Sequence, residues 1–171
     1  MALTDTLKST FEIITDATLT RTGGGGHTGT DKLAHNFSDE LTDGSSANQA
    51  SCWLSATFTA TTGGITISLA DSDDPLGAAG DDVPTADPEG LDVRMLIIEN
   101  QDTTNYVTLS KGTNGVTWLG TTPGIVIPAG GIFVLYTPID GLGAINDGSD
   151  DEIKVTANTA SCSVKISVLY G

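Results

Sequence analysis

The chain has 171 residues, and 7 Lys+Arg stand against 22 Asp+Glu for a formal net charge of −15. That balance argues against nucleic acid as the main partner, because phosphate binding needs clustered cations, and equally against an anionic membrane surface. The length suffices for one domain with a genuine core, and the acidic charge favours solubility and keeps copies from associating nonspecifically.

From the N-terminus, "MALTDTLKSTFEIITD" has neither the basic region nor the continuous apolar run of a signal peptide, so folding in a cytoplasm is expected. Residues 1–10 read as a flexible arm whose order depends on a partner, and residues 11–171 as a single β-sandwich domain. "FEIITDATLT" (11–20) predicts a strand, and "RTGGGGHTGT" (21–30) a flexible loop. "DKLAHNFSDEL" (31–41) fits a strand with Leu33, His35 and Phe37 on one face, or a short helix; the strand is favoured. "TDGSSANQAS" (42–51) is a polar connector.

"WLSATFTA" (53–60) and "ITISLAD" (65–71) alternate apolar and polar residues, and Thr62-Gly63-Gly64 between them suits a tight hairpin turn. "DSDDPLGAAGDDVPTADPEG" (71–90) then carries seven acids, no cation and three prolines. Loops of that length are uncommon, so it reads as a surface insertion in the sandwich. "VRMLIIEN" (93–100) is a continuous apolar strand; "YVTLSKG" (106–112) and the short "GVTWLG" (115–120) follow.

"GIVIPAGGIFVLYTP" (124–138) reads as a β-hairpin, Ile125–Ile127 and Ile132–Tyr136 around a Pro-Ala-Gly-Gly turn, and it is apolar at successive positions. A strand with one wet face alternates instead, so something should cover the second face. It is also the longest apolar run, and its Pro and Gly break it well short of a membrane span of ~20 residues. "EIKVTA" (152–157) and "CSVKISVLY" (162–170) close the chain; the last puts Cys162, Val164, Ile166, Val168 and Tyr170 on one face. Many short strands with Gly- and Pro-rich turns predict an all-β jelly-roll or Greek-key sandwich.

Catalytic and metal signatures are sparse. His27 and His35 form neither HxH nor HExxH, no G-x-S-x-G elbow or P-loop occurs, and "GGGG" (23–26) lacks the lysine and helix of a phosphate cradle. No enzyme activity and no cofactor are expected. Asp71, Asp73, Asp74, Asp81 and Asp82 are hard oxygen ligands, yet the stretch is no EF-hand loop; it and "DGSDDE" (147–152) are solvated acidic loops or hold a divalent ion at a subunit contact. Trp53, Trp118 and Tyr106 are buried or interface aromatics, or else a sugar-stacking platform. Cys52 and Cys162 read as small buried hydrophobes, although a disulfide between neighbouring strands is possible.

The order Asp43-Gly44-Ser45-Ser46-Ala47-Asn48-Gln49-Ala50, "ITISLAD", Val93–Asn100, Pro128-Ala129-Gly130-Gly131-Ile132-Phe133 and "SVKISVLYG" resembles small virion structural proteins of tailed bacteriophages, over about residues 30–171. The turn has an alanine inserted between its proline and glycines. The resemblance implies a non-enzymatic capsid cement or decoration protein, assembled in the host cytoplasm. Its partners would be the major capsid protein and copies of itself in a homotrimer. A tail, collar or head-fibre protein is the nearest rival, and a lectin-like carbohydrate-binding module the next. Phe11, Ile13, Val126, Phe133 and Leu135 are the expected interface residues, with "TFEIIT" (10–15) adding a strand to a neighbour's sheet edge.

Overall fold

A computed structural model describes residues 9–22, 28–70, 88, 90–120, 124–146 and 148–171. The rest of the arm, the loop with Gly23–Gly26 and His27, and the acidic 71–90 segment except residues 88 and 90 lie outside the described residues.

The protein is all-β. Strands β1 (Ser9–Thr22) and β2 (Thr28–Asp43) form a long antiparallel ribbon, and β2 continues in parallel to the two-residue β3 (Gln49–Ala50). The remaining strands are β4 (Cys52–Ala60), β5 (Ile65–Ser68), β6 (Val93–Asn100), β7 (Val107–Lys111), β8 (Ile125–Ile127), β9 (Ile132–Tyr136), β10 (Glu152–Ala157) and β11 (Cys162–Tyr170). They build two antiparallel four-stranded sheets, ordered β4-β11-β6-β9 and β5-β10-β7-β8.

Both sheets feed one core. Leu96, Ile98, Val164, Ile166 and Val168 come from the first, and Ile67, Val107, Leu109, Ile127, Ile153 and Val155 from the second, all nearly or fully buried. The alternation of β11 explains its share, since its even-numbered residues point inward. The core also takes in Tyr170, whose hydroxyl donates to the Leu69 carbonyl oxygen at 3.0 Å and so links the end of β11 to the segment after β5.

The pairing corrects the two expected hairpins. β8 pairs with β7 and β9 with β6, so the strands of "GIVIPAGGIFVLYTP" lie in different sheets. β4 and β5 likewise pair with β11 and β10. Both glycine turns are corners that carry the chain from one sheet to the other. At the first, Gly64 N–H donates to Thr61 O at 3.0 Å; Gly64 takes φ +81°, where a Cβ would run into Lys154 and Thr156. Buried Asn100 fixes the second. Its side-chain amide donates to Asn105 O (2.8 Å), Pro128 O (2.9 Å) and Ile127 O (3.2 Å), while its own N–H reaches Gly131 O at 2.9 Å.

Other local readings shift too. Residues 31–41 are strand, paired throughout to β1. "TFEIIT" is already engaged within the chain, Thr10 opposite Glu40 through Thr15 opposite His35. "GVTWLG" is no strand but an isolated bridge at Gly115 and a 3-10 turn over Thr117–Leu119. Cys52 and Cys162 sit on adjacent strands but at opposite ends, opposite Tyr170 and Ala60. Eight residues of strand separate those levels by about 27 Å, and a disulfide needs Cα atoms within roughly 7 Å. Cys162 is a free buried thiol, held above its ordinary pKa by burial and then by the nearby charge of Asp102.

Candidate functional site

The two sheets present different outer faces. On the β5-β10-β7-β8 sheet the outward positions are Thr66, Ser68, Glu152, Lys154, Thr156, Thr108 and Ser110, a hydrophilic surface interrupted at its edge by exposed Val126.

The register of the β4-β11-β6-β9 sheet sets its outward residues in three rows. Trp53, Leu169, Met95 and Tyr136 form the first, Ser55, Ser167, Ile97 and Val134 the second, Thr57, Lys165, Glu99 and Ile132 the third. The rows grade across the sheet. On β4 and β11 the second row is hydroxyl, Ser55 and Ser167 sharing a 2.7 Å hydrogen bond. On β6 and β9 it is apolar. Lys165 and Glu99 hold paired positions in the third row, so this face is locally close to neutral despite the acidic chain.

Part of this face is covered by the chain itself. Leu41 at the end of β2 and Ala50 of β3 pack on Leu169, with Met95 and Tyr136 partly buried against them. Cover stops one row further along. Val134 is 37% and Ile132 62% exposed, and Ile97 beside them is only partly buried. Beyond the end of β9, Ile139 is 61% exposed. The second face of the apolar strands therefore stays open to water at the β6–β9 edge.

Arg94 anchors the covered end. It is 3% exposed, and its guanidinium donates to Ile139 O (2.8 Å), Gly171 O (3.1 Å) and Ser45 O (3.5 Å), with the Asp92 carboxylate 3.9 Å away. One side chain thus ties the loop after β9, the end of β11 and the connector leading from the ribbon into β3.

Of the five expected interface residues, the three whose side chains are described, Val126, Phe133 and Leu135, do not share a surface. Phe133 and Leu135 pack against the core, because the inward parity of β9 falls on them and not on Ile132 and Val134. Val126 is 56% exposed, but on the opposite sheet. Phe11 and Ile13 lie in the ribbon opposite Asp39 and Phe37. Ile97, Ile132 and Val134 were not singled out by sequence: β6 and β9 are apolar at consecutive positions, so periodicity leaves their parity ambiguous.

The other candidate groups are dispersed. Trp118 packs partly buried against the core. Trp53, half exposed, lies at the start of β4, whereas Tyr106 precedes β7 near Thr61, past the far end of β4. They form no common platform. Asp151 is buried and accepts the Ser68 hydroxyl at 2.6 Å, and Glu152 accepts the Asn114 N–H at 2.8 Å, so these two acids organise loops. Asp102 caps its turn, and the N–H groups of Asn105 and then Thr104 hold its carboxyl below the usual range. Among the described residues no group of three or more His, Cys, Asp or Glu is placed to hold a metal ion. Comparison with protein-family models, curated proteins and solved structures finds no match.

Proposed function

We propose that this chain is a non-enzymatic structural protein of a tailed-phage virion, a cement or decoration protein that binds the outside of the head and stabilises contacts between capsid subunits. The observation that carries the reading is the apolar strip Ile97–Val134–Ile132, left open on one sheet of an otherwise well-packed body. Covering a Val or Ile side chain is worth roughly 1.5–3 kcal/mol, and repetition of a modest contact over many copies multiplies its effect. Shell protein and further copies of the chain are the partners that would cover it.

The strand order supports a jelly roll. Counting the eight strands from β4 to β11, one sheet takes the first, eighth, third and sixth, the other the second, seventh, fourth and fifth. That order is the one two nested Greek keys would give, which supports the reading. The phage-like motifs gain physical meaning from the same arrangement. The D-G connector lies at the Arg94 anchor, and the P-A-G-G turn is the corner fixed by Asn100.

Heads prepared without this chain test the reading. Adding the purified protein should give saturable binding and raise the temperature at which the heads rupture by several degrees. Absence of binding, or binding without any gain in heat resistance, would count against a cement role.

A further inference from the structure

The sandwich has two lateral sides, and their edge strands differ in chemistry. β4 and β5 close one side, β9 and β8 the other. After Trp53, the outward positions of β4 and β5 include Ser55, Thr57, Thr66 and Ser68. β9 is Ile-Phe-Val-Leu-Tyr and β8 is Ile-Val-Ile, with none of the lysines, prolines or inward charges that guard a sheet edge. Among the described residues the exposed large aliphatic side chains gather here: Ile125, Val126, Ile132 and Val134 belong to these two strands, and Ile139 follows them.

The backbone of β9 shows what this edge can accept. Asn100 N–H donates to Gly131 O at 2.9 Å, and Thr137 N–H to Arg94 O at 2.8 Å. The odd-numbered residues of the stretch therefore turn their backbone groups to β6, because hydrogen-bonding direction alternates along an antiparallel strand. The N–H and C=O groups of Ile132 and Val134 point the other way, where no described strand pairs with β9. Such a row is the template to which a further strand adds. Charge indicates which strand. Residues 112–139 contain no Asp, Glu, Lys or Arg, in a chain of net charge −15. On the outer face Glu99 stands opposite Ile132 on the β6 side, away from the free edge, and Lys165 of β11 is its cross-strand partner. Two copies can meet along β9 without opposing their acidic surfaces at close range.

We infer that β9 of one copy pairs antiparallel with β9 of a second copy across a two-fold axis at Phe133, joining two four-stranded sheets into one continuous sheet. Ile132 of each copy stands opposite Val134 of the other, and their outward N–H and C=O groups bond reciprocally. The same pairing sets the exposed Ile132 and Val134 side chains against one another. An isologous contact closes on itself, so it makes a dimer and not a fibre. The inference rests on the assembly reading for its biological use and names how copies of the protein hold one another. Long-range repulsion between two chains of −15 opposes the contact, and added salt strengthens it.

Sedimentation velocity of the full chain, from micromolar to near-millimolar concentration, tests this. Wild type should form a dimer. Ile132→Lys/Val134→Lys should weaken it at least about tenfold, since it sets lysine opposite lysine across the axis. That variant also lowers the net negative charge, so nonspecific association would strengthen instead. Ile132→Glu/Val134→Glu should fail likewise. A mixture of the two variants should dimerise more tightly than either alone, lysine now facing glutamate. Both variants change only exposed side chains, so melting temperatures should stay near wild type and exclude misfolding as the cause. In wild type, hydrogen exchange at the Ile132 and Val134 amides should slow as concentration rises. A wild type that stays monomeric even in added salt, a lysine variant that associates as well as wild type, a mixture no tighter than its components, or exchange at both amides independent of concentration would overturn the contact. A monomer that still binds heads would overturn the contact and leave the cement role standing, and loss of that binding in the lysine variant would assign the edge to a shell segment instead. A dimer with the expected variant losses but no head binding would support the contact and remove that role.

Discussion

Arg94→Met is expected to destabilise the protein by about 3–5 kcal/mol, the usual cost of breaking a buried, hydrogen-bonded charge arrangement. The methionine keeps most of the apolar stem but supplies no donor, so the carbonyl oxygens of Ile139, Gly171 and Ser45 lose their guanidinium partner. The end of β11 keeps its backbone bonds to Asp92, which is why a loss of this size should be survivable. For a chain of this length each kcal/mol shifts the midpoint by roughly 2–4 °C, so thermal unfolding followed by circular dichroism should fall by about 10 °C. Arg94→Lys should recover only part of the loss, because an ammonium is a point donor and not a planar fork. A shift within 2 °C of wild type for Arg94→Met, on the same scale, would mean that the anchor is dispensable.

Asn100→Leu should cost a comparable amount, about 3 kcal/mol, for a different reason. The side chain is fully buried, and leucine is similar in volume, so no large cavity is made. What disappears is a set of hydrogen bonds: the donors to Asn105, Ile127 and Pro128 carbonyls, and the oxygen that accepts the Asp102 N–H at 3.1 Å. Each buried backbone group left without a partner costs roughly 1–3 kcal/mol, tempered where water can reach the corner. Asn100→Asp should be worse, since it turns an acceptor towards carbonyl oxygens and would bury a charge with them. Urea unfolding would read both variants. Equal stability of the leucine variant and wild type would show that the 128–131 corner and the 101–105 turn hold without the amide.

Those two residues also show where the sequence was readable. The span of β6 and the inward set of β11 follow directly from apolar runs and alternation. The glycine turns at 62–64 and 128–131 were legible as turns. What they join was not, because the same turn chemistry serves a hairpin within one sheet and a corner between two. Partner choice is decided by long-range pairing, as of β9 with β6 and β5 with β10, and by the buried amide of Asn100, whose partners lie 5 to 28 residues away.

The association strip was half legible. Successive apolar residues in 93–100 and 124–138 signalled a second apolar face, but not which residues form it. In β9 the choice between Phe133 with Leu135 and Ile132 with Val134 is set by the pairing of Ile98 with Phe133 and of Leu96 with Leu135, opposite core residues. A chain that is apolar at every position of a short strand holds no periodicity from which to infer this. The cover over Leu169 was likewise invisible, since it depends on the two-residue β3 within a polar connector.

The most direct test is a particle map at a resolution that traces this chain on the virion that carries it. The account predicts the chain on the outer surface of the head, with Ile97, Ile132 and Val134 covered by protein from the shell or from another copy. A chain absent from the particle, or present with those three side chains facing open solvent, would contradict it.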